Sequence, residues 1–422
     1  MAQIRDALIE FNSWWLGEGT SPEFKERGIY GSIKKFMPRR QIIALVGIRR
    51  VGKTTLLMKV VEDAIKSGME PERIIYFSFD EFRNVEIRSI IREYEGLKGK
   101  NIRHGKYLLL LDEVQKVEGW QDQLKSIYDS YREIKILVSG SESLFIRKLT
   151  KETLSGRILE LKVETLSFME FLAFKGIDHK KAERDGRGLV PLLREFIASY
   201  GFPELVGIGD QEFIGKYIRE GIIDKVLYKD IPELFEIRDI GVLASIQKLV
   251  MDEPGQIVEL SGLSKELGIS RQSLSGYLLY LEDSFLIRKL YNYSRNARKV
   301  ERSLRKYYPV LVSPSLMANG SSEVFSKVFE WFIVNQLHAE FFWRDPQKHE
   351  VDIVLKGDGP IPVEIKYGKL EADGLLAFMA RFKIKKGYII SYDKEEAIER
   401  DGMKVIVIPA AKALLRPELL AG

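Results

Sequence analysis

Cysteine is absent from the 422 residues, which excludes disulfides, thiolate zinc sites and cysteine nucleophiles. Histidine occurs only four times and forms no cluster with zinc-like spacing. No apolar run reaches the length of a membrane span, about 20 residues, so no membrane partner is expected. The start, MAQIRDALIEFNSWW, lacks the charged-then-apolar layout of a signal peptide. These absences point to a chain of the cytoplasm. Nor is there a strong charge of one sign: the net charge is +5, so the placement of charge carries more than its sum. With 45% hydrophobic and 30% charged residues the chain reads as soluble and globular, long enough for roughly two to four domains.

The clearest positive signal is QIIALVGIRRVGKTTLLMKVVEDAI. An apolar strand, Ile42 to Val46, runs into a loop matching G-x-x-x-x-G-K-[ST] and then into a helical pattern. Gly47, Ile48, Arg49, Arg50, Val51 and Gly52 would curl backbone N–H groups around a β-phosphate, with Thr55 closing the loop. Lys53 would neutralise β- and γ-oxygens, and the Thr54 hydroxyl would reach Mg²⁺. ATP and magnesium are therefore the expected cofactors.

KYLLLLDEVQ supplies the second piece. A continuous apolar run, Tyr107 to Leu111, suits a parallel strand buried on both faces. Asp112 and Glu113 end it where doubly wound sheets bind ligands. Asp112 would hold the magnesium ion and Glu113 would polarise the attacking water. KILVSGSES offers another strand, ending in Ser139 and Ser141 as γ-phosphate sensors or turn formers, Ser139 being favoured because it closes the strand.

GIRRVGKTT, LLLLDEVQ, LVSGSES, LSGRILEL with LSFMEFL, and YGFPELV together resemble predicted AAA+-like P-loop ATPases of archaea and bacteria. That resemblance implies an ATPase followed by a helical segment, a winged helix and a C-terminal domain of the PD-(D/E)xK nuclease class. It also makes Arg157, in LSGR, either a γ-phosphate-sensing or finger arginine or a structural ion pair. A finger supplied in trans predicts a homo-oligomer.

Past Leu166 the pattern is helical to about Leu249, as a lid or a spacer. LSGLSKELGISRQSLSGYLLYLEDSFLIRKL then reads as helix, turn, helix, strand, with Ser270 as N-cap and Leu274, Leu278 and Leu281 facing a core. Arg271, Gln272 and Ser275 would face outward at the recognition end. The next stretch is basic and aromatic: Arg288, Lys289, Arg295, Arg298, Lys299, Arg302, Arg305 and Lys306 interleave with Tyr291, Tyr293, Tyr307 and Tyr308. Duplex or branched DNA, gripped mainly by its backbone, is the expected partner, with a protein-docking module as the alternative.

Near the C-terminus, EVFSKVFEWFIVNQLHAEFFW is apolar on nearly every face yet contains Glu330. HEVDIVLKGDGPIPVEIKY follows as two short strands carrying Asp352, Glu364 and Lys366. The order Glu330, Asp352, Glu364, Lys366 resembles the E…D…ExK set of PD-(D/E)xK nucleases. By that resemblance the three carboxylates would gather Mg²⁺, or Mn²⁺, and Lys366 would orient the attacking water.

The expected fold is α/β: a P-loop NTPase parallel sheet, a helical lid, a winged helix-turn-helix and a small α/β restriction-endonuclease-like domain. Boundaries are expected at 1–30, 31–165, 166–249, 250–312 and 313–422. The expected function is an ATP-hydrolysing, DNA-processing and DNA-cleaving enzyme. The alternative is a nucleotide-dependent switch with a silent nuclease-like domain.

Overall fold

Five short segments build the sheet of the first unit: β1 (Ile42–Val46), β2 (Ile74–Ser78), β3 (Tyr107–Asp112), β4 (Ile134–Gly140) and β5 (Ile158–Lys162). All pair in parallel, in the order β2-β3-β4-β1-β5. β1 to β4 are buried almost throughout, as strands covered on both faces must be, whereas the edge strand β5 is half exposed. Because β4 lies between β1 and β3, the C-terminal ends of all three meet at one edge of the sheet. The loop after β1, Asp112 and Ser139 are thereby gathered from three distant stretches of chain.

The computed structural model describes residues 2–19, 24–82, 85–140, 153–185, 188–296, 298, 300 and 304–420. Its two compact units are Met1–Glu164 and Thr165–Gly422. The N-terminal helix Ala2–Phe11 packs on the edge strand β2. Asn12, fully buried, donates to the Tyr76 carbonyl at 2.9 Å and accepts from the Tyr76 N–H at 2.8 Å. One side chain thus provides the pairing that a further strand would have given the edge strand β2. The indoles of Trp14 and Trp15 donate to the Ile74 carbonyl beside it, at 3.3 and 2.9 Å.

The second unit holds helices and two more sheets. The helices Leu260–Glu266 and Arg271–Asp283 are followed by β7 (Ile287–Asn292) and β8 (Arg305–Pro309), an antiparallel pair, with β6 (Gln256–Ile257) on the far side of β8. Ser270 caps the longer helix by accepting from Ser273 N–H at 3.0 Å, and Leu274, Tyr277, Leu278 and Leu281 are its buried face. β9 (Phe341–Arg344) joins β7 in parallel, and β10 (Glu350–Val351) pairs with β9. The sheet therefore runs across residues 312 and 313, where a domain break was expected.

The last sheet has the order β11-β12-β13-β15-β14, from β11 (Ile353–Lys356), β12 (Pro360–Lys366), β13 (Lys386–Ser391), β14 (Glu396–Arg400) and β15 (Met403–Pro409). Helices Ser322–Gln336 and Asp373–Phe382 both pack on β12. The ring of Tyr367, one residue beyond that strand, meets the ring of Phe325 at 4.9 Å between centroids. Glu364 is in register with Ile389, which belongs to a core with Leu375, Phe378 and Met379, so its face is covered too. Gly374 makes that covering close: a Cβ there would stand 2.0 Å from the Glu350 carbonyl oxygen.

Candidate functional site

The loop after β1 is shaped by close approach. A Cβ on Gly47 would lie 2.2 Å from the Val163 carbonyl oxygen, so only glycine lets the chain leave β1 beside the end of β5. Gly52 adopts a left-handed conformation (φ 94°) and opens the helix Lys53–Lys66. Arg27, buried, braces the loop from outside by donating to the Val51 carbonyl at 2.9 Å and the Glu164 carbonyl at 2.8 Å. Sequence reasoning had no signal for that brace, since Arg27 lies in a segment without a motif.

Within this frame the Lys53 ammonium is buried and donates to the carbonyls of Gly47 (2.8 Å) and Ile48 (3.1 Å). Thr54 Oγ1 donates to Asp112 Oδ2 at 2.6 Å. The Tyr76 hydroxyl reaches the same oxygen at 3.0 Å, and Ser139 Oγ takes the other. Burial and the Asp112 charge push the Tyr76 phenol far up, so it stays a donor. Glu113 follows in a left-handed conformation (φ 55°), its N–H donating to Ser139 Oγ at 3.2 Å. One hydroxyl and one carboxylate on adjacent elements are hard oxygen donors suited to magnesium, and the ammonium beside them suits phosphate oxygens.

Arg157 is not part of this group. Its guanidinium forks onto Asp129, at 3.0 and 3.3 Å, and that pair raises Arg157 and lowers Asp129. Its carbonyl accepts from Ile42 N–H, at the start of β1, whereas the phosphate loop follows the end of β1. The two are separated by the length of the strand, roughly 15 Å. Within its own chain Arg157 is in an ion pair with Asp129 and away from the phosphate loop.

A second polar group is buried in the Thr165–Gly422 unit. Continuing the β11–β12 register by one step sets Asp352 opposite Glu364. Asp352 Oδ2 accepts from Ile365 N–H at 2.8 Å, and Lys366 Nζ donates to Glu364 Oε1 at 2.8 Å. Glu364 Oε2 is buried with no hydrogen-bond partner. Burial, Glu364 and Glu330 push Asp352 well above the usual carboxylate range, against Lys306 and Lys366. Burial raises Glu364 as well, with Lys366 opposing it. Lys366 is raised because Glu364, Asp352 and Glu330 outweigh the burial that lowers it.

Glu330 takes a different place from the one expected of a third metal ligand. It accepts from the Tyr308 hydroxyl at 2.6 Å and lies 3.8 Å from Lys306 Nζ. Among the described residues no three His, Asp or Glu side chains converge to hold a metal ion. The fit to a divalent cation is thus one of donor chemistry, two facing carboxylates with one orphaned buried oxygen, without a closed ligand shell. His349 pairs with Asp345 and His338 lies near Arg288, so neither joins the group.

The basic stretch divides. Lys306 and Tyr308, counted above with residues facing a phosphate backbone, point inward: both are buried and both serve the acid group. Lys289 is held by Glu282 at 2.6 Å, and Arg288 leans on Asn335 and His338. Arg295 is exposed and donates to the Phe382 carbonyl at 3.0 Å. Arg271, Gln272, Ser275 and Arg298 are exposed. Lys299 and Arg302, and Ser141 near the nucleotide loop, lie outside the described residues. The interior role of Lys306 had one weak signal, its period-two position between Arg305 and Tyr307 on a strand.

Residues 39–172 match the family described as an AAA domain. Residues 190–316 and 324–412 match two domains of unknown function, DUF8612 and DUF4143. An uncharacterized protein of Methanocaldococcus jannaschii is 29% identical over 354 residues, covering 79% of this chain and 76% of its own. One from Haemophilus influenzae is 27% identical over 385 residues, covering 87% and 93%. Among solved structures, a Walker-type ATPase of Pyrococcus abyssi overlaps 71% of this chain and 98% of its own, at 17% identity and a TM-score of 0.43. The family match, the loop geometry and the Thr54–Asp112 pair make the first unit a P-loop ATPase domain of the AAA type that uses ATP. No helix among the described residues is long and apolar enough to cross a membrane.

Proposed function

We propose that this chain is an ATP-hydrolysing, DNA-processing protein of the cytoplasm whose second unit cleaves phosphodiesters with a divalent metal ion. The observation that carries the cleavage reading is Glu364: a buried carboxylate facing Asp352, one oxygen on Lys366 and the other without a partner. A buried polar atom without a partner is costly and is found disproportionately at functional sites. Asp352 and Glu364 would hold Mg²⁺ or Mn²⁺, which supplies Lewis-acid polarisation of the scissile phosphate and a more acidic bound water. Lys366, held beside them by Glu364, would steady the charge that develops on the phosphoryl oxygens and orient the water by donating to it.

At the other site Lys53 binds the β- and γ-phosphates, Thr54 and Asp112 take the nucleotide's magnesium, and Glu113 polarises water. Ser139 holds Asp112 in place. With Arg157 committed to Asp129, an arginine completing the ATP site comes from elsewhere, which favours a homo-oligomer. DNA is gripped by Arg271, Gln272 and Ser275 at the start of a capped helix and by Arg295 and Arg298, the helices and the β7–β8 pair acting as a winged helix. A grip on the backbone makes affinity fall steeply with salt.

A second reading has its own support. Lys306 lies close to Glu350 and near Glu330, so a cation of the protein already serves part of the acid group. On that reading the acids are structural and the chain is an ATP-dependent switch. The test is cleavage of labelled branched, duplex and single-stranded DNA with Mg²⁺ or Mn²⁺, with and without ATP, alongside Glu364→Ala and Lys53→Ala. Metal-dependent cutting lost in Glu364→Ala supports the nuclease, and the Lys53→Ala lane reads its coupling to ATP. ATP hydrolysis with no cutting of any substrate supports the switch.

A further inference from the structure

We infer that Lys306 is a resident cation of the acid centre, and that the centre consequently takes a single divalent ion, on Asp352 and Glu364. This rests on the reading of those acids as a divalent-metal centre. Lys306 comes from β8 and is 4% exposed. Its ammonium contacts Glu350 Oε1 and stands 3.8 Å from Glu330 Oε1. The second Glu350 oxygen is taken by Arg344 Nη1 at 3.2 Å, and Glu330 Oε1 also accepts from Tyr308 at 2.6 Å. Both oxygens of Glu350 and one oxygen of Glu330 are therefore already matched to cations and donors of the chain.

Charge balance leads to the same place. Glu330, Glu350, Asp352 and Glu364 face Lys306, Arg344 and Lys366, which leaves one formal negative charge among the described groups. One divalent ion changes that to a single positive charge. A second would leave three positive charges in a site with little water to screen them. Paired catalytic ions sit about 3.5–4 Å apart and share carboxylates, yet only Glu364 Oε2 is buried without a partner among these four acids. Lys306 thus brings to Glu330 and Glu350 the positive charge that a second ion would bring.

The test is a Mn²⁺ titration of the full-length, nucleotide-free protein, read by electron paramagnetic resonance. The expected result is one tightly bound Mn²⁺ per chain in the wild type and none in Glu364→Gln. Two tight ions, both lost in Glu364→Gln, overturn the single-ion inference while leaving the metal-centre reading intact. Tight binding that Glu364→Gln does not remove, or no tight binding at all, overturns the metal centre itself. Lys306→Met is expected to admit a second ion or to tighten the first by about tenfold or more, with Lys306→Arg staying at one. A folded Lys306→Met protein with wild-type stoichiometry and affinity refutes the role of Lys306. The wild-type stoichiometry decides the matter even if that variant does not fold.

Discussion

Glu364→Gln should stabilise the metal-free protein. The wild-type carboxylate is buried, has one oxygen without a partner and faces Asp352. An unsatisfied buried polar atom costs about 1–3 kcal/mol, and the facing like charge adds to that. The neutral amide removes both and can donate to Asp352. Against this stands the lost ion pair with Lys366, a cost limited because that side chain keeps 27% exposure and retains the charges of Asp352 and Glu330. The net gain is about 1 kcal/mol, or about 2–4 °C in Tm for a unit of this size.

The pH dependence has a definite sign. Burial raises Glu364 above its ordinary 4.5 in the folded chain. As pH climbs from that value towards the raised one, the unfolded chain loses its proton first, so wild-type stability falls. The advantage of Glu364→Gln should open above about pH 4.5 and level off once the folded carboxyl has ionised. Thermal unfolding in EDTA from pH 4 to 8 measures it, and added Mg²⁺ should lift the wild type but not the variant. A variant destabilised by about 1 kcal/mol or more at pH 7, with a gap indifferent to pH, would show that Glu364 is an ordinary structural ion pair.

Four further outcomes follow from the geometry. Gly47→Ala should abolish ATP binding, read by fluorescent-nucleotide titration, because its methyl would stand 2.2 Å from the Val163 carbonyl oxygen. Arg157→Ala should leave ATP turnover per protomer within about twofold, since its partner is Asp129 and not the phosphate loop. Asn12→Ala should cost about 2–4 kcal/mol in denaturant unfolding, as three buried hydrogen bonds to Leu8 and Tyr76 are lost. Burial lowers Lys135 to about 8 from its ordinary 10.5, so stability from this site should rise as pH climbs through that window. Unfolding of wild type against Lys135→Met between pH 7 and 10 should show that rise in the wild type alone.

The nucleotide site was legible because its parts are local. A strand, a glycine-bearing loop and a helix N-terminus lie within one short stretch, and each residue type has a job set by its own backbone. The same holds for β3 with Asp112 at its end, where an unbroken apolar run announces a strand covered on both faces. The pairing of Asp352 with Glu364 was half legible. A hairpin of this length keeps the two strands in register, but the orphaned Oε2 depends on Ile389 and the helix Asp373–Phe382 covering that face.

Other assignments depended on contacts between residues far apart in the chain. Lys306 and Arg298 both read as members of one basic run, yet one is buried among acids and the other is exposed, because Lys306 projects from β8 towards Glu330 and Glu350 whereas Arg298 lies outside the sheet. Arg157 shares a stretch with a phosphate-site motif, but parallel pairing of β5 with β1 sets it at the opposite edge. Nothing around Asn12 marks it as the partner of an edge strand. The sequence by itself determined where phosphate and acid-bearing strands begin and end, since turn chemistry and hydrophobic period act over a few residues. Only the tertiary structure decided which charge meets which, because strand order and register choose the partner and burial sets how strongly it is felt.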